Sequence, residues 1–86
     1  MLKIDMVETG KLIRKKCDDA NITPQELCRH LNLSTTTPYY WFEGKSLPRL
    51  ETYLNLADWL NCDIKDLYVV ESDDDYVVEE IEEGEE

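Results

Sequence analysis

The chain has 86 residues, 42% of them hydrophobic and 34% charged, with a formal net charge of −11; that length supports one small domain around one core. No apolar run approaches the roughly 20 residues that cross a bilayer, and the start has no signal-peptide pattern, so a cytoplasmic location is expected. The acidity is uneven: residues 1–70 carry 9 basic and 10 acidic side chains, whereas residues 71–86 carry 10 acidic and none basic.

That division predicts a nearly neutral domain over 1–70 and an acidic, flexible, solvated tail over 71–86. Within the body, Met6, Gly10, Ile13 and Cys17 recur at helical spacing, with Lys11, Arg14, Lys15 and Lys16 mostly on other faces. They predict a first helix over about 5–20, with Asn21 as a left-handed stop. "TPQEL" at 23–27 is a strong local start signal. Thr23 caps, Pro24 suits the first helical position, and Glu26 completes a capping box. Leu27, Cys28 and Leu31 then give a short apolar face ending near Asn32.

"STTTPYYWFEG" at 34–44 reads as a third helix over 34–42, capped by Ser34. Pro38 complicates it, because at a fourth helical position it removes the first intrahelical hydrogen bond. The alternative is a late start, with Thr37 as cap and Pro38 first in the helix. "GKSLP" breaks the chain at 44–48. A fourth helix over 49–61 presents Leu50, Tyr53, Leu54, Ala57 and Leu60 as its apolar stripe. Asp63, with Asp66 three residues on, caps a last short helix whose Ile64 and Leu67 face inward. The expectation is five short helices, all-α, with no strand in the body.

Cys17, Cys28 and Cys62 are isolated and odd in number, which predicts free, buried or partly buried thiols rather than a metal site or disulfide. His30 has no catalytic or ligating partner in the sequence and is expected on a solvated helix face. One histidine, no nucleophile with a recognisable base and no glycine-rich phosphate loop argue against an enzyme, and no cofactor or metal is expected.

Over residues 6–68 the chain resembles the lambda-repressor/Cro-like helix-turn-helix family of the xenobiotic-response-element type, especially small versions from Firmicutes and mobile elements. Gly10, Ile13, Thr23, Leu27, Leu33, Ser34, Trp41, Gly44, Pro48, Leu50, Ala57, Leu60 and Leu67 stand at family spacing. The resemblance implies a compact five-helix DNA-binding domain, with 23–31 as the supporting helix and 34–42 as the recognition helix in the major groove. It makes Trp41 a packing residue. Gln25, Ser34, Thr35, Thr36, Thr37, Tyr39, Tyr40 and Lys45 are the expected DNA-binding residues. Threonine methyls meet thymine methyls, while hydroxyls and tyrosines serve bases and phosphates.

Some positions depart from the family pattern. Pro38 replaces a branched apolar residue, Phe42 a frequent glutamate, Pro24 a phosphate-bracing glutamine and Cys17 a common arginine. The first turn of the recognition helix also lacks the Arg, Lys, Gln or Asn that make bidentate base contacts. The expected function is a DNA-binding transcriptional regulator, a repressor, acting as a homodimer on double-stranded DNA. Dimer contacts are expected from the last helix and "DLYVVES", or from Trp59. The competing reading is a protein-interaction or DNA-mimic module that keeps the fold and meets a protein partner through the acidic tail.

Overall fold

A computed structural model describes residues 1–72; of the flexible tail expected over 71–86, residues 73–86 lie outside the described residues, while Glu71 and Ser72 belong to a strand. α1 (Met6–Asp19) begins on Asp5, whose carboxylate accepts the Glu8 N–H at 3.0 Å. It stops at Asn21, held at φ 60°. α2 (Pro24–Leu31) carries both arms of the expected capping box: the Glu26 N–H donates to Thr23 Oγ1 at 3.1 Å, and the Thr23 N–H to Glu26 Oε1 at 2.9 Å. Asn32 ends it in the left-handed region at φ 58°. Asparagine tolerates that region because its short polar side chain bonds locally.

α3 (Thr37–Phe42) starts later than the 34–42 helix, and Ser34 is not its cap. Pro38 is the reason. As second residue of a helix beginning at Thr37, it needs no N–H, and its ring is buried. Thr36 occupies the cap position without a side-chain bond. Ser34, Thr35, Thr36 and Thr37 instead form a turn closed by the Thr37 N–H on the Ser34 carbonyl at 3.1 Å. Gly44 follows at φ 77°, a conformation that favours glycine.

α4 (Leu50–Leu60) buries a different stripe from the one its spacing suggested. Leu50 and Leu54 are 69% and 54% exposed, while Leu56, outside the expected stripe, is fully buried beside Tyr53 and Ala57. Apolar residues at 50, 53, 54, 56, 57 and 60 contain two overlapping helical stripes, and tertiary packing selects one. The expected fifth α-helix is a 3₁₀ helix, Ile64–Leu67, in which the Asp63 N–H donates to Asp66 Oδ2 at 3.2 Å.

The all-α expectation also missed a pair of strands. β1 (Leu2–Ile4) pairs antiparallel with β2 (Val70–Ser72), Leu2 opposite Ser72 and Ile4 opposite Val70. Thr9, fully buried, secures this closure: its hydroxyl accepts the Val69 N–H at 2.8 Å and lies 3.5 Å from the Val69 carbonyl. The body is otherwise mostly helical. Ile13, Cys17, Leu27, Trp41, Tyr53, Leu56, Ala57 and Leu67 form its core, and the burial of such side chains is the main force holding the helices together. His30, exposed as expected, stacks on Trp59 with ring centroids 4.0 Å apart, tying α2 to α4. Trp59 is thereby engaged from α2.

Candidate nucleic-acid interface

The geometry of α3 begins at Gly10. A Cβ there would overlap the Trp41 carbonyl oxygen and stand 2.9 Å from that of Phe42. Only a residue without a side chain lets α1 and α3 approach this closely, and theirs is the most extensive helix–helix contact among the described residues. Trp41 anchors the inner side of α3 in the core, so Tyr39 and Tyr40 are left on the outside, each nearly half exposed.

Between α2 and α3 runs an open groove of about 410 Å³, whose lining includes Gln25, Arg29, Thr35 and Tyr39. Three expected DNA-binding residues, Gln25, Thr35 and Tyr39, therefore share one surface. Arg29 joins them because it lies one helical turn after Gln25. Cys28 also lines this groove, and its thiol donates to the Ser34 carbonyl at 3.3 Å, fixing where the 34–37 turn leaves α2.

Ser34 and Thr37 lie elsewhere. They line a second groove with Ser46, Arg49 and Thr52, between the 34–37 turn and the start of α4. Their hydroxyls bond each other at 2.6 Å, which uses one O–H donor and one lone pair of the two groups expected to meet bases or phosphates. Thr36 and Tyr40 are exposed, and the Tyr40 N–H donates to the Thr36 carbonyl at 3.3 Å, placing them one turn apart. Lys45 is exposed but ion-paired with Glu43 at 3.2 Å.

The cations sort similarly. Lys3, Lys11 and Lys15 pair with Glu71, Glu8 and Asp19. Arg29 and Arg49, one in each groove, make no ion pair among the described residues, and neither was among the expected DNA-binding residues. The i, i+4 spacing of Gln25 and Arg29 was the available signal. Arg49 precedes an α4 start that has no side-chain cap, so the first N–H groups of α4 add positive potential there, partly offset by Glu51 in the same turn.

Burial pushes the Cys17 thiol up to about 11, with the neighbouring Asp18 charge acting in the same direction. All three cysteines are free, Cys17 buried and Cys28 and Cys62 partly so. No group of three or more His, Cys, Asp or Glu with metal-holding geometry occurs among the described residues, and none of their helices is long and apolar enough to cross a membrane.

A family model for the Cro/C1-type helix-turn-helix DNA-binding domain matches residues 12–73. Among solved structures, the chain is similar to the restriction-modification controller protein C.AhdI from Aeromonas hydrophila. The TM-score is 0.66 at 21% identity, over 73% of this chain and 96% of that one. That likeness is one of fold. No curated protein sequence matches the chain.

Proposed function

The chain belongs to the family of Cro/C1-type helix-turn-helix DNA-binding domains, and from that premise we propose that it is a transcriptional regulator, a repressor, that reads double-stranded DNA with the α2–α3 face. The observation that carries this reading is the shared groove of Gln25, Thr35 and Tyr39, open to solvent and bordered by Arg29, which makes no ion pair among the described residues. Thr35 and the exposed Thr36 offer methyls to thymine and hydroxyls to base edges. Gln25 at the second position of α2, and the Tyr39 and Tyr40 hydroxyls, serve phosphates. Arg49 and the uncapped start of α4 provide a second phosphate contact beyond the 34–37 turn.

Ser34 and Thr37 act in this reading through the turn they brace, and Lys45 contributes charge only after leaving Glu43. Because no bidentate base-reading side chain occupies Thr35–Thr37's turn, discrimination between sites is modest and affinity rests largely on phosphates. The exposed Leu50 and Leu54, one turn apart on α4, support a homodimer, with the half-buried Ile64 bordering the same surface. A two-fold assembly of this kind meets two half-sites about one DNA turn apart.

Selection of bound fragments from a random DNA pool tests the reading. Enrichment of a two-fold related motif that is lost on Thr35→Ala, with Gln25→Ala weakening retention on all fragments alike, supports it. Retention without enrichment reduces it to nonspecific attachment. The second reading, a DNA-mimic or protein-interaction module, is favoured by the net charge of −11; it requires a basic protein partner and no duplex binding.

A further inference from the structure

Arg14 stands on α1, outside the two helices of the reading unit, yet its side chain is directed toward them. Its guanidinium carbon lies 5.5 Å from the centroid of the Phe42 ring. Phe42 in turn meets Tyr39 edge to face, with centroids 6.1 Å apart and planes at 82°. The three side chains form a continuous row from α1 across the end of α3 to the groove that holds Thr35 and Gln25.

A guanidinium stacked on a ring uses only its flat face. Its N–H donors project in the plane, toward the rim, and remain to be satisfied. Arg14 is exposed and has neither a carboxylate nor a carbonyl partner among the described residues, whereas its α1 neighbours Lys11 and Lys15 are paired with Glu8 and Asp19. The two ring distances put its charge within about 12 Å of Tyr39, comparable to the width of a DNA major groove. With the Tyr39 hydroxyl serving one phosphate, a cation at up to that offset reaches another phosphate bordering the same groove.

Resting on the DNA-binding reading above, we infer that Arg14 is a phosphate-contacting residue of the interface, seated by the face of Phe42 at the outer edge of α3. Phe42 has two tasks in this arrangement: it orients the guanidinium and it braces the Tyr39 ring. Lysine does not replace arginine here, because an ammonium has no plane to stack while donating outward.

The test is duplex affinity measured across a range of salt for the full chain and for Arg14→Met, Arg14→Lys and Phe42→Leu, each checked for folding by thermal melt. Arg14→Met should lower the slope of log affinity against log salt by about 0.9 and weaken binding similarly on specific and random duplexes. Arg14→Lys should keep the slope and lose part of the affinity, as should Phe42→Leu. A folded Arg14→Met protein with an unchanged slope overturns the inference while leaving the function intact. A wild-type chain that binds no duplex at any salt overturns both, and does so without reference to Arg14.

Discussion

The carbonyl oxygen of Trp41 occupies the space in which a side chain at Gly10 would begin. On an isolated helix, Gly→Ala at position 10 would stabilise by about 1 kcal/mol. Here the obstacle is backbone of α3, which cannot rotate aside, so the sign reverses. Gly10→Ala should cost a net of about 2 kcal/mol or more in urea denaturation, and should weaken DNA binding by displacing α3.

Thr9 and Val69 provide the second check. Thr9→Val keeps the shape but leaves the Val69 N–H without its acceptor, and an orphaned polar group of this kind costs about 1–3 kcal/mol. Thr9→Ser should recover most of the loss. Amide hydrogen exchange should show β1 and β2 opening first in the valine variant.

Alkaline stability follows from Cys17. Unfolded, its thiol ionises near 9.0; folded, burial and Asp18 hold the proton until about 11. Its contribution is therefore intact below pH 9 and is lost as pH rises through 11, up to about 2–3 kcal/mol. Tyr53 and Cys62, both raised chiefly by burial, act with the same sign. Cys17→Ala should flatten part of the decline, and Cys17 should resist alkylation at pH 8 until urea exposes it.

Removing residues 73–86 takes away nine carboxylates without touching β2, which ends at Ser72. If those charges repel DNA or compete for the cations of the body, truncation after Ser72 raises duplex affinity most at low salt, and the difference fades as salt screens it. Equal affinities at low salt would remove the tail from the account.

What the sequence disclosed was local. The Thr23–Glu26 box lies within four residues, and its two hydrogen bonds need nothing beyond them. Gly44 and the Asn21 stop are similarly short-range, whereas the inward Trp41 was implied by the family resemblance. The pairing of Leu2 with Ser72 depends on a closure that no local pattern announces. The same holds for the His30–Trp59 stack and for the selection of Leu56 over Leu54. At the site, the side-chain types in 34–40 were legible, but their sorting into two grooves turned on Pro38. The ring is tolerated in the first turn of α3, where it sits second, and this leaves Ser34 and Thr37 bonded to each other in the turn that leads into the helix.

In the proposed function, the groove of Gln25, Thr35 and Tyr39 faces the nucleotide edge. Backbone and side-chain NMR shifts, recorded while a duplex is titrated into the full chain, test it most directly. The largest changes should fall at Gln25, Arg29, Thr35, Thr36, Tyr39 and Tyr40, with smaller ones at the start of α4. Changes confined to the Leu50–Leu54 side of α4 and the Ile64–Leu67 segment, or none at low salt, would contradict it.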